Sequence, residues 1–172
     1  RQPSKGNYLA LPHVSSEKRS YIPIGFLSSD HIAGNHIYVV NQASLFDFSI
    51  LTSAMHNDWM RLTSGRIKSD YQYSVSLTFN TFPWADATDD QKKEIETLAQ
   101  AILDTRKQYP DKSLAWLYNQ ATMPEILKNA HKKLDKQVDK LYGLTKAKVT
   151  TSDRIKALFS MYQELTKREV KY

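Results

Sequence analysis

The stretch SLFDFSILTSAMHNDWMRLTSGRIKSDYQYSVSLTFN, Ser44 to Asn80, changes its hydrophobic period once, and that change decides the fold. From Ser44 to Leu62 the period is helical: Phe48, Leu51, Met55, Trp59 and Leu62 form one apolar stripe. Ser44 can cap the start, Asp47 falls in the first turn, and Gly65 stands where a helix often ends on glycine. After Gly65 the chain alternates, with Arg66, Lys68, Asp70 and Gln72 set against Ile67, Tyr71 and Tyr73. Alternation predicts a strand with one buried face, running from Arg66 to Asn80. Tyr71, Tyr73, Val75, Leu77 and Phe79 would point inward, and Lys68, Asp70, Gln72, Ser74, Ser76 and Thr78 outward.

On the N-terminal side, Tyr8–Val14, Tyr21–Phe26 and Ile37–Val40 read as short strands, broken by Pro12, Pro23 and Gly34. On the C-terminal side the sequence turns helical. Thr88 and Gln91 form a capping box ahead of Ile95, Leu98, Ala99 and Ile102. A short helix is expected over Ser113–Tyr118. Another starts at Thr122, Pro124 and Glu125, carries Leu127, Ala130, Leu134, Val138 and Leu141, and stops at Gly143. The last begins near Ser152 and carries Ile155, Leu158, Phe159, Tyr162 and Leu165. The expected class is α+β: a small mixed or antiparallel sheet with a packed helix, then an all-α region.

Composition divides the chain at the same place. Residues 1–84 hold twelve of the 19 aromatics and only seven Lys or Arg, whereas residues 85–172 hold 17 Lys or Arg. Two domains are expected, 1–84 and 85–172. The net charge of +6 leans toward polyanionic partners such as nucleic acid or an anionic surface. The absence of cysteine excludes disulfides and thiolate metal sites, and fits a cytosolic protein. No apolar run approaches the roughly 18 residues a membrane helix needs. The chain opens on Arg1 and enters strand-like sequence at once, which reads as a piece of something longer.

Several chemistries lack their residues. All five glycines stand alone, so no phosphate-cradling loop is spelled out. His31, His36 and His56 have no tight metal-ligand spacing. Asp86, Asp89 and Asp90 crowd a helix start, where they complement its dipole. No catalytic constellation, cofactor site or metal site is expected within these residues.

The outward row of the predicted strand is different. Lys68, Asp70 and Gln72 would span roughly 13 Å, about four stacked base pairs. Lys can donate to guanine, Asp can accept from cytosine N4, and Gln can pair with adenine. The same row could equally be an exposed Lys68–Asp70 ion pair worth little. In VSSEKRSYIPIGF, Val14 to Phe26, Ser15, Ser16, Lys18 and Arg19 mix hydroxyls with positive charge, which suits phosphate contacts or a plain polar turn. Arg61 and Arg66 are further backbone-contact candidates, although Arg61 could instead cap its helix.

Taken in order, YIPIGF (Tyr21–Phe26), SLFDFSILTSAMHNDWMRLTSGRIKSDYQYS (Ser44–Ser74), NTFPW (Asn80–Trp84), SLAWLYNQATMP (Ser113–Pro124) and LKNAHKKLDKQVDKLYG (Leu127–Gly143) resemble one family. The chain resembles, from about Tyr8 to Leu165, the C-terminal part of the MmeI-like restriction–modification proteins. These large single chains carry an adenine-N6 DNA methyltransferase and often a nuclease. The resemblance implies a DNA target recognition domain followed by a helical tail, with double-stranded DNA and the methyltransferase core of the same chain as partners. It implies that Lys68, Asp70 and Gln72 choose bases, with an earlier contact near Asn35 or His36. Gln72 departs from the Arg often found there, which leaves its base open. The S-adenosylmethionine site and the Asn-Pro-Pro-Tyr loop of the family lie upstream and are absent here. A cytoplasmic prokaryotic protein is implied. The competing expectation is a protein-interaction module whose helical tail docks a partner.

Overall fold

A computed structural model describes residues 6–31 and 33–169. Its strands and helices run in the order β1 (Tyr8–Pro12), β2 (Val14–Ser15), β3 (Gly25–Leu27), β4 (Ile37–Asn41), α1 (Leu45–Thr52), α2 (Ala54–Thr63), β5 (Gly65–Ile67), β6 (Asp70–Gln72), α3 (Asp89–Lys107), α4 (Leu114–Leu117), α5 (Glu125–Leu141) and α6 (Thr151–Glu169). The class is α+β, with small antiparallel sheets and a helical C-terminal region.

Local sequence explains most helix ends. Ser44 accepts from the Asp47 amide while the Asp47 carboxylate accepts from the Ser44 amide, a complete capping box. Thr88 and Gln91 repeat the device at the start of α3. At the end of α5, Gly143 takes φ +79°, and Leu144 N donates to Asp139 O while Gly143 N donates to Lys140 O. That pair of bonds is the left-handed glycine stop its sequence position predicts.

The Ser44–Leu62 helix is two helices. Ser53 has extended backbone, ends α1 and caps α2 through its side chain. The restart resets the helical phase, so Met55, His56, Trp59 and Met60 face inward and Leu62, the fifth member of the predicted stripe, is half exposed. Gly65 is not a helix cap: Ser64 ends α2 in extended conformation and Gly65 opens β5.

The predicted long strand Arg66–Asn80 is also broken. β5 and β6 form a tight hairpin with Ile67 opposite Asp70, which leaves Lys68 and Ser69 as a two-residue turn. Lys68 takes φ +57°, the left-handed region hairpin turns of this length demand. After Gln72 the chain coils into a π-helical turn, Val75–Phe79, capped by the Ser74 hydroxyl. Thr78 is therefore buried, while Val75 and Leu77 are exposed, the reverse of the strand expectation. Tyr71 and Tyr73 are buried as predicted, and Ile67, at the hairpin end, is 47% exposed.

One sheet has the order β3-β1-β4 and the other β2-β6-β5, all pairs antiparallel. They meet at His13, whose amide donates to His36 O at 2.9 Å and whose carbonyl accepts from Tyr73 N at 2.8 Å. Most of the predicted strand Tyr21–Phe26 is irregular, with only Gly25 and Phe26 in β3. It is held by polar anchors instead: Ile22 N donates to Asn57 Oδ1, and Arg106 donates to Ile24 O.

A single core contains Leu9, Ile24, Phe48 and Trp59 from the first half together with Ile102, Leu134 and Leu158 from the helices. α1 packs on α3, and α2 packs on α5 and α6. Buried polar groups bind the same layers. Asp135 of α5 accepts from Tyr21 Oη at 2.6 Å and from Ala54 N, the first amide of α2, at 2.7 Å. Arg154 of α6 holds Asp139 through two bonds and reaches Asp58 of α2 at 3.1 Å. These bonds fix the angle at which the helices support the hairpin and its neighbouring turn.

Candidate nucleic-acid interface

The turn after β2 is organised by its own backbone. Arg19 N donates to Ser16 O, and Lys18 N donates to Ser16 Oγ. Both Lys18 and Glu17 are exposed. Arg61 supports this turn from behind, donating to Arg19 O and Ser20 O at 3.1 and 3.0 Å while paired with Asp58. The Arg61 guanidinium is thus committed to positioning the turn. Ser15 is 6% exposed within β2, opposite Tyr71, so its hydroxyl is withdrawn from the surface. Ser16, Lys18 and Arg19 instead line an open cleft of about 530 Å³ with Asn119, Gln120 and Ala121.

The hairpin stands beside this turn and is tied to it. Asp70 Oδ1 accepts from Glu17 N at 3.3 Å, and Arg66 reaches Glu17 Oε2 at 3.4 Å. Arg66 is also held by its own hairpin: it donates to Ser69 O, and its guanidinium carbon lies 4.1 Å from the centre of the Tyr71 ring. Among the described residues Lys68 has no ion-pair partner, so the Lys68–Asp70 surface pair is not formed. Asp70 and Gln72 share one face of β6, on either side of the buried Tyr71, and Lys68 extends from the tip. The three side chains predicted to form one row therefore belong to a strand and its turn.

His36 is exposed beside the same sheet junction, as is Asn35. The residue that connects them to the hairpin is His13. Its ring stacks at 6.5 Å on His36, meets Tyr38 edge-on at 5.0 Å, and lies with Nε2 3.5 Å from Gln72 Nε2. His36 and Gln72, 36 positions apart in sequence, thus flank one imidazole. Sequence reasoning missed His13. The available signal was Pro12, a strand breaker placing the next residue at a junction.

Underneath lies a neutral, desolvated layer. His56 Nε2 sits 2.9 Å from Tyr73 Oη, and burial lowers the His56 pKa to about 3. Burial likewise pushes the Tyr73 phenol above its usual range. Neither group carries charge at neutral pH, so the electrostatics of this face come from the exposed Lys18, Arg66 and Lys68 and the half-buried Arg19 above it, set against Glu17 and Asp70. The arrangement offers a cationic rim for phosphates and a patch of carboxylate, amide and imidazole groups able to address base edges.

A platform of short strands presenting a polar hairpin, braced by helices, defines a recognition module. The family model for the MmeI target recognition domain matches residues 1–86, and that for the MmeI C-terminal domain matches residues 87–170. The chain belongs to the MmeI family. It is 43% identical over 163 residues to DNA methyltransferase A of Bacillus subtilis (strain 168), covering 94% of this chain and 18% of that protein. It also resembles a solved structure of the type IIL restriction–modification enzyme MmeI in complex with DNA, at 47% identity and a TM-score of 0.92. That match covers 97% of this chain and 22% of the solved one. The chain thus spans about a fifth of the length of the relatives it matches.

Proposed function

We propose that this chain reads the target sequence of a DNA (adenine-N6) methyltransferase of the restriction–modification type, from within the same polypeptide. The observation that carries the proposal is the hairpin: Lys68 extends from its tip, Asp70 is tied to the turn carrying Ser16, Lys18 and Arg19, and Gln72 meets His13, which stacks on His36. The relative of known structure is described in complex with DNA, which supports the same ligand here. Lys68, Asp70, Gln72, His13 and His36 contact base edges in this account. Ser16, Lys18, Arg19 and Arg66 contact phosphates, and Arg61 acts by fixing the turn.

Catalysis belongs to the parent protein. The isolated glycines here spell no nucleotide cradle, so no residue of this chain is assigned to S-adenosylmethionine. The cofactor would be held by the methyltransferase core, in a cytoplasmic prokaryotic protein. Among the described residues no helix is long and apolar enough to cross a membrane.

The test is binding of the full-length protein to synthetic duplexes over a range of salt. A cognate preference together with a steep fall of affinity with salt is expected. An interaction module with no role in DNA binding would leave affinity and site preference unchanged when the hairpin is altered, and that result would overturn the proposal.

A further inference from the structure

A second cationic surface lies outside the hairpin, on the helical region. Lys132, Lys136 and Lys140 follow one another at four-residue intervals on α5 and are all exposed. Lys146 and Lys148 face them from the connection to α6, and Arg154 stands at the back. Together they line an open cleft of about 450 Å³.

The two acids in this cleft do not neutralise its mouth. Asp139 is 4% exposed and accepts both bonds from Arg154. Asp135 is buried and points away from the cleft mouth, toward Tyr21 and the Ala54 amide of α2, which donate to it. Lys146 pairs with Asp153 at 2.6 Å. Among the described residues Lys132, Lys136, Lys140 and Lys148 have no ion-pair partner. Four exposed ammonium groups therefore share one concave surface.

The lysines of the cleft select a polyanionic ligand, and the contacts of the cleft lead back to the hairpin. Arg154 reaches Asp58, Asp58 holds Arg61, and Arg61 holds the carbonyls of Arg19 and Ser20. The Ser16–Arg19 turn in turn binds the hairpin through Glu17 N and Asp70. Cleft, turn and hairpin are thus linked through Asp58 and Arg61. The three lysines of α5 cover about 12 Å of helix axis, the axial run of about three to four phosphates of one strand.

We propose that this α5–α6 cleft grips the sugar–phosphate backbone of the same duplex that the hairpin reads, outside the bases being recognised. The inference rests on the DNA-reading function proposed above and extends it to the helical region. The cleft adds affinity without sequence information.

The experiment uses the full-length protein with Lys132, Lys136, Lys140 and Lys148 changed to Gln. Binding is measured against a duplex carrying its methylation site and against an unrelated duplex, as log K versus log salt. Loss of the four contacts should make the slope shallower by about 3–4, at about 0.9 per phosphate. Affinity should fall on both duplexes by a similar factor, with base preference and melting temperature unchanged. A control with Lys92, Lys93, Lys107 and Lys112 changed to Gln removes the same charge elsewhere and should leave the slope in place. A cleft variant with the wild-type slope overturns the inference while leaving the hairpin proposal standing, and equal effects of cleft and control variants overturn it too. Wild-type protein without salt-dependent binding to either duplex overturns both.

Discussion

The hairpin face and the helical scaffold handle polar groups in opposite ways. On the scaffold, Asp58, Asp135, Asp139 and His131 are buried, and each is held by bonds from a different element. On the hairpin face, Lys68 has no described partner, Asp70 accepts one long bond, and Gln72 and His36 meet only through His13. The contrast separates rigidity from readiness to bind. Buried pairs fix the angle between layers, whereas the loosely engaged side chains above remain available to a ligand.

The largest expected effect falls on the scaffold. Arg154→Ala leaves Asp139, 4% exposed, as a buried charge without its ion-pair partner, and leaves Asp58, 3% exposed, to Arg61 alone. Unfolding in denaturant should show a loss of about 3–5 kcal/mol. A loss below about 1 kcal/mol would mean that the Asp58–Arg154–Asp139 bridge does not join the layers.

The next effect is a pH dependence of stability. His56 is buried with its pKa lowered to about 3, against about 6.5 when unfolded. The folded state resists a proton that the unfolded chain accepts. Stability is therefore full above pH 6.5 and declines as pH falls toward 3, by on the order of 4 kcal/mol. His131, lowered by burial and then by Arg106, acts in the same direction. Asp135, raised to about 6 mainly by burial, acts in the opposite direction: its contribution is full below about pH 4 and lost as pH rises through 6. The histidines should dominate, and His56→Gln should flatten the acid limb of a denaturation series. An acid limb unchanged by that substitution would assign it to other groups.

Smaller changes should appear on the hairpin face, and in specificity rather than stability. His13→Ala in the full-length protein should alter preference at a base pair also sensitive to Gln72→Ala, because the two side chains meet. The discrimination lost should be about 1–3 kcal/mol. Effects at unrelated base pairs would separate the two residues functionally. Smallest, Thr88→Ala should cost about 1 kcal/mol of stability by removing the α3 cap, with base preference untouched.

The same contrast explains what the sequence revealed. Thr88 with Gln91 and the Gly143 stop were legible because caps and helical period are written within a few residues. The hairpin was not, because alternation from Arg66 to Asn80 looks the same whether the strand continues or turns. What breaks it is non-local: β6 pairs with both β5 and β2, and Tyr73 N donates to His13 O. Ser53 hid inside an unbroken helical period for the same reason, as it is the Asp135 carboxylate, 81 residues from Ala54, that receives the first amide of α2. The residue types of the candidate site were legible, but not their relations. Burial of Ser15 against Tyr71, the commitment of Arg61 to two carbonyls, and the place of His13 between His36 and Gln72 all require partners distant in sequence.

The central claim is that the hairpin selects bases, and a charge exchange tests it most directly. Methylated sites would be mapped for the full-length protein carrying Lys68→Glu and Asp70→Arg together. In the proposed reading Lys68 donates to and Asp70 accepts from one base pair, so their exchange should change the methylated site at one position while methylation persists. Methylation of the original site at normal activity would contradict the account.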